Sequence, residues 1–194
     1  MKTNKKEYFG ILKDTFDGVT ATFADGRPYE IEEALAETAQ LFLDRSARGG
    51  KLLFIGNGGS ASIASHIAVD LWKNAGVRAL AFNDSSLLTC VGNDYGYSRV
   101  FEKPIGMFAD QGDVLIAISS SGCSENILRG VSSAREKGLK VITLSGFKGD
   151  NPLRTAGDIN FYAPSPSYGH VEITHLAVCH SLVDAITDKK QGNG

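Results

Sequence analysis

The chain has 194 residues, 42% of them hydrophobic, and 20 Lys and Arg against 22 Asp and Glu leave a formal charge of −2. At roughly 150 residues per domain this reads as one domain, able to bury about 70% of its unfolded surface without disulfides or a structural metal. The balanced charge gives no footprint for nucleic acid or an anionic membrane, and the longest apolar runs, 52–55 and 114–118, fall far short of the ~20 residues that span a bilayer.

Residues 1–8 are polar and lysine-rich, unlike a secretory signal. Beyond them Phe9, Leu12, Phe16, Val19 and Phe23 recur at helical spacing, which predicts an amphipathic helix ending at the turn Asp25-Gly26-Arg27-Pro28. Ile31, Leu35, Ala39 and Phe42 predict a second helix stopped by Gly49-Gly50. Short continuous apolar runs then follow at 51–55, 77–82, 114–119, 140–144 and 159–162. Such runs suit strands buried on both faces, and helical patterns separate them at 61–73, 85–91, 99–108 and 125–137, with a last helix at 171–188. The expected fold class is α/β: a three-layer α/β/α, doubly wound, five-stranded parallel sheet with an N-terminal helical arm, its ligands at the carboxyl ends of the strands. The three cysteines, Cys90, Cys123 and Cys179, form no CxxC pair, so a disulfide framework or thiolate zinc site is not expected and the reducing cytoplasm is the expected setting.

Two loops join a strand directly to a helix. The first, Gly56-Asn57-Gly58-Gly59-Ser60, lets the backbone approach an anion closely at a helix N-terminus, where N–H groups are unpaired. The second, Ser119-Ser120-Ser121-Gly122-Cys123-Ser124, offers four hydroxyls within six residues. Neither is followed by the lysine of a nucleotide-hydrolysing P-loop. The first also fits a relaxed dinucleotide fingerprint through Ala61, with Asp84 downstream, but that leaves the serine loop unexplained. Each loop alone could be a simple helix cap. Two at one sheet edge point instead to a sugar phosphate, without a nucleotide cofactor.

These blocks, with His66 and an acid four residues on, Val91-Gly92-Asn93-Asp94-Tyr95-Gly96, Ala134-Arg135-Glu136-Lys137-Gly138 and a terminal helix containing His180, resemble the SIS (sugar isomerase) family, and within it the phosphoheptose isomerases. The resemblance spans nearly the whole chain. It implies a single SIS domain over 1–194, of flavodoxin-like topology, with 1–48 serving oligomerisation, and a homotetramer that interconverts ketose and aldose phosphates for surface polysaccharide. The expected reaction takes D-sedoheptulose 7-phosphate to D-glycero-D-manno-heptose 7-phosphate. Substrate contacts would fall on Asn57, Gly58, Gly59, Ser60, Asn93, Asp94, Ser119, Ser120, Ser121, Ser124 and Glu172. Zinc, in members that bind it, would be held by His66, Asp70, Glu172 and His180. The family usually has Glu at position 70 and Gln at 172, so this chain carries a shorter acid and an added carboxylate.

Moving a carbonyl between neighbouring carbons needs one group to shift a carbon-bound proton and another to shift protons at oxygen. Asp70 is expected as the base and His180 as the acid. His66 and Asp70 lie at i and i+4, on one helix face. Glu172 and His180 project about 80° apart on the last helix, whereas His175 and His180 differ by about 140°, which makes His175 the poorer catalytic candidate. At Glu172, complementing a helix dipole competes with a site role; at Asn93-Asp94, an Asx turn competes with sugar recognition. Lys73 and Cys123 carry weaker expectations, a phosphate contact and a sensitised thiolate. The alternatives to the heptose reading are an isomerase of another sugar phosphate and a non-catalytic SIS module such as a replication-initiation regulator.

Overall fold

The computed structural model describes residues 5–192. Positions 1–4 and 193–194, the ends of the expected single domain and part of the lysine-rich start, lie outside the described residues. In chain order the elements are α1 (Lys5–Asp17), β1 (Thr20–Phe23), β2 (Pro28–Tyr29), α2 (Ile31–Ala47), β3 (Leu52–Gly56), α3 (Gly59–Asn74), β4 (Ala79–Ala81), α4 (Ser85–Tyr95), α5 (Glu102–Phe108), β5 (Val114–Ser119), α6 (Glu125–Glu136), β6 (Lys140–Gly146), β7 (Ile159–Ala163) and α7 (Tyr168–Gln191). Single 3-10 turns sit at Tyr97–Arg99 and Pro152–Thr155.

The sheet has the order β2-β1-β7-β6-β5-β3-β4. Its five parallel strands are those the apolar runs predict. Two more strands extend the sheet, and they correct the expected five. The first helix stops at Asp17, where the Gly18 N–H closes on Asp14 O at 3.0 Å. A Cβ at Gly18 would meet Pro164 at 2.8 Å, so the chain turns tightly there. Of Val19 and Phe23, read as the end of a helical stripe, Phe23 belongs instead to β1, which pairs antiparallel with β7, Ala21 opposite Phe161, and Val19 immediately precedes that strand. An unpaired β7 edge would leave its peptide groups without partners, and that demand overrides the helical spacing.

Alternating strand residues feed two cores. Leu52, Phe54, Ile116, Ile142 and Phe161 meet α2, α3 and α7 on one face. Leu53, Ile55, Leu115 and Val141 meet α5 and α6 on the other. α2 is therefore part of the main core through Ala34, Ala39 and Phe42, while α1 leaves Phe9 65% exposed. None of the described helices is long and apolar enough to cross a membrane.

After β3 the chain first makes β4 on one side and then crosses to β5 on the other. The carboxyl ends of β3 and β5 are thus the switch point of the sheet, the place where ligands bind in this class of fold. Both candidate loops leave from there.

At the sheet's lower rim Asp158 ties β6 to its surroundings. Burial pushes its carboxyl up, but the Val141 N–H at 2.8 Å, Lys140 at 3.0 Å and Arg135 at 2.7 Å outweigh this and hold it below its ordinary value of 3.8. A carboxyl lowered by folding stabilises the protein above its unfolded value, and that contribution is lost as pH falls through the folded value. Asp158→Asn is expected to cost about 1–3 kcal/mol at pH 7 and to weaken the acid dependence of stability below about pH 4. Denaturant titrations across that range check it, and identical pH slopes for both proteins would contradict it.

Candidate active site

The glycine loop turns from β3 into α3 through Gly58, the helix N-cap, at φ +54°. Gly59 opens the helix, and a Cβ there would stand 2.4–2.5 Å from the Glu172 carboxyl atoms. The missing side chain lets the Glu172 carboxylate sit at the start of α3, where the helix dipole favours negative charge. The serine loop turns from β5 into α6 through Gly122, at φ +64°, against the Asn151 side chain. Inside it Ser119 Oγ accepts the Gly122 N–H at 3.2 Å and Ser121 Oγ accepts the Cys123 N–H at 3.3 Å.

Between the loops lies a cavity of about 110 Å³ lined by Asn57, Ser60, Ile118, Ser119, Ser120, Ser121, Ser124, Tyr168 and Glu172. The Ser120 hydroxyl is buried there without a hydrogen-bond partner. A buried hydroxyl is expensive to leave unpaired, so this one is free for a ligand. Seven of the sequence-predicted contacts (Asn57, Ser60, the four serines and Glu172) meet at this cavity, with Gly59 beneath the carboxylate. Asn93 and Asp94 do not line it. They occupy the exposed last turn of α4, ended by Gly96 at φ +84°, so the Asx turn weighed against sugar recognition is replaced by helix. Asp84 caps α4 by accepting the Leu87 N–H at 3.0 Å.

A second cluster forms where α3 and α7 run side by side. Asp70 Oδ2 is 3.4 Å from His66 Nε2 and 3.8 Å from His180 Nδ1, and the two rings meet edge to face at 5.2 Å between centroids. Nitrogen and oxygen atoms of these three residues all lie within 4.8 Å of one another. Tetrahedral zinc, with bonds of ~2.0–2.2 Å, holds its ligand atoms about 3.4 Å apart, so the donor set and spacing fit that ion. Glu172 stands apart from the trio. Its neighbour Gly59 precedes His66 by seven residues, about 10 Å along α3.

His175 is buried in the core with its ring Nε2 3.0 Å from Ser145 O, and burial lowers its pKa to about 4. Lys73 and Cys123 are exposed, whereas burial raises the Cys179 thiol to about 12. Sequence reasoning missed Tyr168 at the cavity and two residues that hold Asn57: Asn126, which exchanges side-chain hydrogen bonds with it at 2.8 and 2.9 Å, and Tyr97, whose hydroxyl donates to it at 3.0 Å. Only Asn126 carried a usable signal, an amide in the first turn of the helix that follows the serine loop.

Residues 17–146 match the model of the SIS domain family. The chain is 40% identical to the phosphoheptose isomerase of Proteus mirabilis over 160 residues, covering 79% of this chain and 83% of that protein. The structure of phosphoheptose isomerase GmhA from Neisseria gonorrhoeae superimposes with a TM-score of 0.81 at 31% identity, covering 93% of this chain and 96% of the other. A phosphoheptose isomerase from Francisella tularensis gives 0.83, also at 31%, covering 96% and 98%.

With its pKa lowered to about 4, His175 is expected to stay neutral from pH 8 down to pH 5 in imidazole NMR resonances. Titration with a midpoint near pH 6.5 would contradict that burial.

Proposed function

We infer the function from one premise: the chain belongs to the SIS domain family, among the phosphoheptose isomerases. It is an aldose-ketose isomerase of a phosphorylated heptose. Its substrate is D-sedoheptulose 7-phosphate and its product D-glycero-D-manno-heptose 7-phosphate, destined for surface polysaccharide. The observation that carries this reading is the meeting of Asp70 with His180, one from α3 and one from α7, beside a hydroxyl-lined cavity.

The cavity takes the phosphate. Ser60, Ser119, Ser120, Ser121 and Ser124 donate to its oxygens, aided by the N-terminus of α6, whose N-cap is Ser124. The about 10 Å from Gly59 to His66 along α3 suits a seven-carbon chain, whose phosphate and carbonyl lie at opposite ends. Asp70 removes the proton on the carbon beside the carbonyl and returns it to the neighbouring carbon through an enediol. His180 moves the proton between the two oxygens. Asn93 and Asp94, exposed in the last turn of α4, are kept for the sugar hydroxyls.

Zinc fits His66, Asp70 and His180, and when bound it would act as a Lewis acid on the sugar oxygens. Glu172 is assigned to the substrate. We also assign a homotetramer, in which the chain acts as one SIS domain and 1–48 contributes to assembly. Phe9, Trp72 at 54% exposure and Ile173 at 40% give α1, α3 and α7 outward apolar faces that support it. Three free thiols suit the cytoplasm.

Purified protein given sedoheptulose 7-phosphate is expected to form the aldose, and Asp70→Asn to lower kcat by ~10²–10⁴-fold. Absence of turnover with and without added zinc, or an Asp70→Asn variant of full activity, would contradict the assignment. Light scattering is expected to give four times the mass of one chain, and a monomer would refute the tetramer.

A further inference from the structure

We infer that Asn126 is a positioning residue for sugar-phosphate binding: a reciprocal amide clasp with Asn57 locks the glycine and serine loops into one register, with Tyr97 as its outer latch. Asn126 is 3% exposed in the first turn of α6. Its Nδ2 donates to Asn57 Oδ1 at 2.8 Å, and Asn57 Nδ2 donates back to Asn126 Oδ1 at 2.9 Å. Asn126 Oδ1 also accepts the Ile127 N–H at 3.0 Å, and Asn57 Oδ1 also accepts the Tyr97 hydroxyl at 3.0 Å. Each amide oxygen has two acceptor sites, so both oxygens are fully used.

The consequence is specific to the site. Asn57 keeps one N–H for a ligand, so most of its hydrogen-bonding capacity fixes the loop in place. The β3–β5 ladder orders the loops only as far as Gly56 opposite Ile118. Beyond that point, among the described residues, the two amides are the side-chain hydrogen bonds that join residues 57–60 to residues 119–126. Truncating Asn57 leaves the buried Asn126 amide short of a partner, and truncating Asn126 takes two hydrogen bonds from the half-buried Asn57, so the two residues are energetically coupled. The groups they align hold the phosphate, remote from the reacting carbons, so loosening them removes binding common to ground state and transition state. Such a loss raises KM and leaves kcat nearly unchanged.

The kinetic arm of the test rests on the isomerase reading; the exchange arm does not. Asn126→Ala is expected to raise KM for sedoheptulose 7-phosphate about tenfold, with kcat changed less than about threefold. Asn126→Asp keeps both acceptor roles but sets a second carboxylate oxygen against Asn57 Oδ1 and a buried charge beside the phosphate, so a KM increase at least as large is expected; that of Tyr97→Phe is expected to be smaller. The Asn57→Ala/Asn126→Ala double variant is expected to lose no more than the worse single. Backbone amide exchange in Asn126→Ala is expected to quicken in both 57–60 and 119–124. A purely structural role would lower the active fraction, and so apparent kcat, at constant KM. Unchanged KM, additive losses, or exchange that quickens in one loop alone would each overturn the clasp. Should the native protein turn over no sugar phosphate, the isomerase reading falls and exchange still decides the clasp. Should Asn126→Ala not fold, Asn126→Asp and Tyr97→Phe carry the same comparisons.

Discussion

The structure depends on one adjacency: β3 hydrogen-bonds directly to β5 although β4 and three helices, α3, α4 and α5, intervene in the chain. That crossover leaves two strand ends side by side with no connection running between them. Each end then turns into a helix, and the two helix starts open on the same crevice. A glycine loop and a serine loop 63 positions apart in sequence (56 to 119) become opposite walls of one cavity. Every other feature of the site is reached from there, since α3 leads from the first loop to His66 and Asp70.

The second constraint is the lie of α7 beside α3. Glu172 meets Gly59 near the start of both helices, and His180 meets His66 and Asp70 roughly two turns further along. Two helices running in the same sense carry two clusters at matching intervals. One cluster is rich in hydroxyls and backbone N–H groups, suited to an anion, and the other pairs a carboxylate with two imidazoles, suited to proton transfer or a metal. In the proposed reaction a single extended substrate connects them. The Glu172 carboxylate adds a negative charge to the anion's end of the site, and the glycine that accommodates it places that charge at a favourable helix terminus.

Much of this was legible in the sequence, for a physical reason in each case. Strands buried on both faces print as continuous apolar runs, so all five parallel strands stood out. The loops announced themselves because glycine and serine are what a close anion approach demands. His66 and Asp70 share a face because helical spacing is fixed, and His175 was separable from His180 on the same basis. The rest was not legible because it depends on tertiary partners. Val19 and Phe23 fit a helical stripe as well as a strand, and only the open edge of β7 decides between them. Asn93 and Asp94 resemble a turn, yet α4 extends through them to Gly96. Tyr97 has no local signature and Asn126 only its place in the first turn after the serine loop, since their roles exist only once Asn57 has been brought to them across the sheet.

The central claim is that the hydroxyl-lined cavity and the Asp70–His180 pair act on the two ends of one molecule. The most direct measurement is kcat/KM across ketose phosphates of five, six and seven carbons, each phosphorylated on its terminal carbon. With the phosphate held at one end, only the seven-carbon chain should bring its carbonyl to Asp70, and a misplacement of about an ångström already costs ~10²-fold. A preference of at least that size for the heptulose is the expected result. Equal turnover along the series, or a preference for the five-carbon sugar, would contradict the account.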